Sequence, residues 1–225
     1  MKFFFKPVSC ISFLFLFACG GGGSSSDAEI INPITPPTSN DLPECNPSGY
    51  EKTLYCTYTR LGLDREFYVY VPDDIYSKTA NPPLLFNLHG YRRQAIDFLG
   101  YSGFQILADE DKFIVIYPQG SILPSSGEPH WNDTGWSSES PADDVDFISS
   151  LIDWGLTNYQ INPNRVYATG KSNGGKMSYH LACNLRYRIA GVASVGGTMN
   201  PNTYSSCNPS HPTPIIHIHL SLIHI

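Results

Sequence analysis

Two apolar runs dominate the middle of the chain, each bounded by turn-forming residues. Leu84-Leu85-Phe86-Asn87-Leu88-His89 follows Pro82-Pro83 and ends at Gly90, and Phe113-Ile114-Val115-Ile116-Tyr117 stops at Pro118. Short runs that are apolar on both faces read as central strands of a sheet covered on both sides. Before them the pattern alternates: Thr53 to Thr59 and Glu66 to Val71 are strand-like around the turn Leu61-Gly62-Leu63-Asp64. Gln94 to Asp111 reads as helix, broken by Gly, Tyr and Ser at Gly100 to Gly103. Asp143 to Gln160 places Val145, Ile148, Leu151, Ile152 and Leu156 at core spacing, behind acids that favour a helix start. A strand at Arg165 to Thr169, a helix at Lys176 to Arg186, and strands at Ala190 to Val195 and Pro214 to His219 complete the order. Strands alternating with helices predict an α/β fold, with a mostly parallel central sheet and crossover helices on both faces. Between the elements, Gln119 to Ala142 is a long polar loop of the kind usually kept for function.

The chemistry concentrates at Gly170-Lys171-Ser172-Asn173-Gly174, where a strand runs directly into a helix. Gly-x-Ser-x-Gly in that context predicts a nucleophile elbow: the serine hydroxyl is exposed on a tight turn, and the helix N-terminus behind it favours negative charge. Acyl transfer from serine also needs two N–H donors aimed at the developing oxyanion. One is expected from Asn173, and the second from Tyr91, which follows the strand-end His89-Gly90. The imidazole of His89 is read as a brace for that loop.

The ends of the chain read differently. Lys2 and Lys6 precede an apolar stretch, Val8 to Ala18, too short to span a bilayer. It closes on Leu16-Phe17-Ala18-Cys19-Gly20, which resembles a bacterial lipobox, with Cys19 as the lipidated residue and the membrane reached through that anchor. The alternative is a plain secretory signal cleaved nearby, and either way the domain is expected outside the cytoplasm. Residues 20–48 are rich in Gly, Ser and Pro and read as a linker, so the folded domain is placed at 49–219. Of six cysteines, Cys10 and Cys19 belong to the leader. The remaining four allow three pairings, and the short loops they close favour Cys45–Cys56 and Cys183–Cys207. With 14 Lys and Arg against 20 Asp and Glu, the net charge of −6 argues against a nucleic-acid partner. No Cys-x-x-Cys spacing exists, and His217 and His219 lack a third ligand at sensible spacing, so neither a metal nor a cofactor is expected.

Leu88-His89-Gly90-Tyr91-Arg92-Arg93-Gln94, Phe113 to Gly120, Trp131-Asn132, Asp143 to Ile148 and Arg165 to Tyr179 together resemble the polyhydroxybutyrate-depolymerase-like esterases. That α/β-hydrolase group also holds feruloyl and acetylxylan esterases. The resemblance runs from about Asp64 to His219. It implies a secreted Ser-His-Asp esterase acting on polyester or plant-cell-wall esters, with Trp131 and Asn132 near the substrate and Asp144 bracing the active-site loop.

The triad is incomplete here. α/β-Hydrolases deliver it in the order Ser, acid, His, yet no Asp or Glu follows Ser172. Leu220 to Ile225 resembles one reading frame of a sequencing-adapter end, so the gene is expected to continue past residue 219 and the 225-residue chain to be a C-terminally truncated, poorly active form. Two other readings compete: a non-catalytic surface lipoprotein holding glycan or polymer through Trp131, Trp136 and its tyrosines, and a serine peptidase of the same fold.

Overall fold

The computed structural model describes residues 42–137, 139–209 and 211–220. The leader with Cys19, most of the linker and all but Leu220 of the suspected adapter tail lie outside the described residues. The first three strands are β1 (Glu44–Pro47), β2 (Thr53–Arg60) and β3 (Leu63–Tyr70); β4 (Leu84–Leu88) and β5 (Ile114–Pro118) are the two apolar runs. A small ribbon, β6 (Ile122–Leu123) with β7 (Glu128–Pro129), precedes β8 (Val166–Lys171), β9 (Gly191–Val195) and β10 (Ile215–Ile218). The helices are α1 (Ala95–Tyr101), α2 (Phe104–Asp111), α3 (Asp144–Tyr159), α4 (Asn173–Asn184) and α5 (Pro201–Ser206).

Eight strands form one sheet in the order β1-β2-β3-β5-β4-β8-β9-β10. From β5 to β10 all neighbours are parallel, while β1, β2 and β3 join antiparallel. This is the mostly parallel sheet expected from the alternation. The two-residue period of β5 shows how it is covered. Ile114 and Ile116 face the core shared with α3 and α4, whereas Val115 and Tyr117 face a second core with α1 and α2. Helices therefore lie on both faces, and β4 and β5 need no polar side.

Four expectations are corrected. β1 lies inside the stretch read as linker, because Cys45 pairs directly opposite Cys56 and draws that segment into the sheet. α4 begins at Asn173, immediately after Ser172, rather than at Lys176. Gly174 and Gly175 weaken the helical reading of that turn, but here both are buried in helix. α5 was not expected, although Asn200 caps it and Pro201 opens it, both ordinary start signals. The long loop is polar in composition but packed: His130, Trp131, Asp133 and Ser137 are fully buried. Both expected disulfides, Cys45–Cys56 and Cys183–Cys207, are present.

Candidate active site

Ser172 caps α4 with φ 56° and ψ −114°, a left-handed conformation that costs a non-glycine residue about 1–3 kcal/mol. The surroundings hold it there. Its N–H donates to Val195 O at 2.8 Å and its carbonyl accepts Lys176 N–H at 3.0 Å. The turn closes only because its flanking glycines lack side chains. A β-carbon on Gly170 would lie 2.4 Å from the Gly174 carbonyl carbon, and one on Gly174 would lie 2.3 Å from Leu88 O. The serine side chain stays exposed while Asn173, the next residue, is buried.

Strands β4 and β8 are neighbours, so the loop after β4 emerges beside the serine. The position of a β-carbon on Gly90 is 3.7 Å from Ser172 Cβ. A bound histidine fixes that loop from within. Gly120 N–H donates to His89 Nε2 at 2.9 Å, so the ring proton sits on Nδ1 and is given to Gly90 O at 2.8 Å. Burial pushes the imidazole down to about 4, so it stays neutral, as the geometry requires. His89 is thus a brace. Arg92 N–H donates to Pro129 O at 3.0 Å, tying the same loop to β7. Among the described residues no protein acceptor takes the N–H of Tyr91 or of Asn173, and Ser172, Tyr91 and Gly90 border one cavity of about 450 Å³, walled by Phe98 and Tyr101.

The side chain of Asn173 does something the sequence did not show. Its Oδ1 accepts Trp131 N–H at 2.7 Å and its Nδ2 donates to Trp131 O at 3.1 Å. The Trp131 indole N–H then donates to His89 O at 2.9 Å. One buried clamp thereby joins the start of α4, the long loop and the end of β4. Trp131 is fully buried and spent on this clamp, so it is a supporting residue and not the substrate contact expected of it. Asn132 is likewise committed: its side-chain amide donates to Ala142 O at 2.9 Å, and its Oδ1 accepts Thr134 N–H at 3.2 Å. Asp144 does brace the loop. One carboxylate oxygen accepts Asn132 N–H at 2.8 Å, and the other pairs with buried Arg65 at 2.5 Å.

No histidine lines the Ser172 cavity among the described residues. His130 is buried with Nδ1 at 2.8 Å from Ser121 O; His180 is buried 2.9 Å from Thr203 Oγ1; His217 meets Tyr179 OH at 2.7 Å. Among the described residues no His, Cys, Asp and Glu group could hold a metal ion. The cavity-lining residues of α1, Asp97, Phe98 and Tyr101, went unnoticed in the sequence. Their spacing puts them on one helical face, but nothing local says that the face meets Ser172.

A family described as phospholipase/carboxylesterase matches residues 78–223. The chain is 31% identical over 168 residues to a bifunctional acetylxylan esterase/xylanase of Neocallimastix patriciarum, covering 75% of this chain and 23% of that protein. It is 32% identical over 119 residues to poly(3-hydroxyalkanoate) depolymerase C of Paucimonas lemoignei, covering 52% and 28%. The solved acetyl xylan esterase from Aspergillus awamori superposes with a TM-score of 0.50 at 23% identity, over 60% of this chain and 47% of that one, a likeness of fold. The chain spans less than half the length of the curated relatives it matches. The matched stretch contains the strained Ser172 turn, the loop beside it and most of the parallel sheet, and the chain belongs to the phospholipase/carboxylesterase family of α/β-hydrolases.

Proposed function

We propose that the protein is an exported serine ester hydrolase that works through an acyl-enzyme. The observation that carries this reading is Ser172: an exposed hydroxyl on a strained strand-to-helix turn, beside the loop after β4. The Ser172 hydroxyl oxygen attacks the ester carbonyl carbon as a base removes its proton. The N–H groups of Tyr91 and Asn173 receive the developing oxyanion, and collapse releases the alcohol, leaving an acyl-serine for water to cleave. The base and its orienting acid come from outside the described residues, because no described histidine borders the cavity. The names of the relatives support acetylated xylan or a hydroxyalkanoate polyester as the substrate class. Lipidation at Cys19, after a leader with Lys2 and Lys6, anchors the protein outside the cytoplasm, where its two disulfides are at home.

The test is covalent labelling of the full-length gene product with a neutral fluorophosphonate, followed by peptide mapping. Labelling at Ser172, abolished in Ser172→Ala, is the expected result; labelling elsewhere, or none, sinks the proposal. A binding-only surface protein is the second reading, supported by Trp136, which is 45% exposed and packs 4.8 Å from Tyr91. Polymer binding without labelling would favour it.

A further inference from the structure

The cavity beside Ser172 carries more positive charge at its mouth than the molecule around it would suggest. Arg93 and Lys171 both border it and are both exposed. Among the described residues neither has an ion-pair partner. Lys171 Nζ stands 3.4 Å from Tyr101 OH and 5.1 Å from the centre of that ring. The neighbouring Arg92, by contrast, is paired with Glu128 at 3.3 Å. One carboxylate, Asp97, borders the cavity, and it accepts Gln94 N–H at 3.1 Å at the start of α1. Two cations against one engaged acid leave a positive mouth on a chain of formal charge −6. Phe98 and Tyr101 give the same cavity an apolar wall.

We propose that this cavity selects esters bearing a carboxylate at the end of a short apolar body, with Arg93 and Lys171 as the specificity-determining residues. The inference rests on the serine-esterase reading above. The apolar body lies on Phe98 and Tyr101, and the carboxylate meets the guanidinium and the ammonium, where charge-assisted hydrogen bonds form. Exposed ion pairs are individually weak, so the selection is modest: about three- to tenfold in kcat/KM over a matched neutral ester, and falling as salt is raised. The carboxylate can belong to the acyl or to the alcohol half of the ester.

Two substrate pairs separate those halves in the full-length protein. An aryl monoester of adipic acid against the aryl hexanoate probes the acyl half, and 3-acetoxybenzoate against phenyl acetate probes the alcohol half. The expected result is a salt-sensitive preference for the anionic member in one pair, with Arg93→Gln and Lys171→Gln each lowering the anionic-to-neutral ratio and Arg93→Lys retaining it. Equal rates in both pairs from a protein that labels at Ser172 overturn this inference and leave the esterase standing. A preference untouched by salt, or by both glutamine variants, overturns it as well. Failure of Ser172 to label removes both readings together. Salt dependence is measured on the unmodified protein, so the outcome does not hinge on how the variants fold.

Discussion

At the scale of single residues, the elbow and its clamp set the sharpest expectations. Gly174→Ala would press a methyl group to 2.3 Å from the Leu88 carbonyl oxygen and 2.6 Å from that of His89, both backbone atoms with nothing flexible to yield. Overpacking costs about 1–3 kcal/mol where a core can adjust, so the loss here should reach at least that range, read as a lower urea midpoint. Asn173→Ala keeps the backbone N–H but strips the buried Trp131 N–H of its acceptor, while the Trp131 carbonyl keeps Ser137 Oγ and Asp133 N–H as donors. A cost of about 1–3 kcal/mol follows in the same measurement. His89 gives a pH signature. The folded protein holds its imidazole near 4, while the unfolded chain protonates near 6.5. Stability from this residue is therefore complete above about pH 6.5 and declines as the pH falls towards 4, by roughly 3 kcal/mol in all. His180 is lowered too, also by burial, and adds in the same direction. Unfolding free energies measured from pH 4 to 7 should slope less in His89→Gln than in the parent. The strained serine turn was legible at this scale because its signature is local: two glycines, a serine, and the turn they permit. The clamp was not, since Asn173 finds Trp131 across 42 residues of sequence.

At the scale of elements, the β2–β3 hairpin and the Arg65–Asp144 pair show the two ways the chain is held. The hairpin turns on Leu61 at φ 50° and Gly62 at φ 76°, a two-residue turn with both positions left-handed. Glycine suits this conformation and leucine does not. Leu61 is also 68% exposed. Leu61→Asn should therefore stabilise the protein by a few tenths to about 1 kcal/mol, seen as a higher thermal midpoint. Arg65 and Asp144 connect β3 to the start of α3, with the guanidinium 3.8 Å from the centre of the Phe147 ring and both side chains almost wholly buried. Asp144→Ala strands a buried cation and removes the acceptor of Asn132 N–H, so a loss of about 3–5 kcal/mol is expected by chemical denaturation. The order and type of most elements were readable from apolar run length and period alone. The exceptions are instructive. β1 and α5 are each joined to the rest by a disulfide, and the packed loop buries His130 and Ser137, whose side chains reach carbonyls of the same loop, Ser121 O at 2.8 Å and Trp131 O at 3.2 Å.

At the scale of the molecule, the two cross-links act where the secondary structure is weakest. Cys45–Cys56 holds an edge strand of four residues, and Cys183–Cys207 joins the end of the elbow helix to α5. α5 in turn supports the long loop, since Asn200 Nδ2 and Thr203 Oγ1 both donate to Asp133 O. Replacing Cys183 and Cys207 together by serine should cost about 2–4 kcal/mol, and loosening of the Trp131 loop should raise hydrogen exchange there more than in β5. At the far side of the sheet, Ile215, Ile216 and Ile218 of β10 stand 47%, 63% and 55% exposed. The sequence by itself determined the alternation of strands and helices and the serine turn, and it favoured the cysteine pairing found in the structure. Each depends on neighbours in the chain, on a period of two or 3.6, or on a short loop to close. Only the tertiary structure decided which polar residues are spent inside and which face the cavity. Trp131 looked like a substrate contact and is a buried strut, while Arg93, Phe98 and Lys171 looked incidental and line the cavity beside Ser172. Those roles follow from which loops the parallel sheet brings side by side at the ends of β4 and β8, and pairing between strands some eighty residues apart leaves no mark on local pattern.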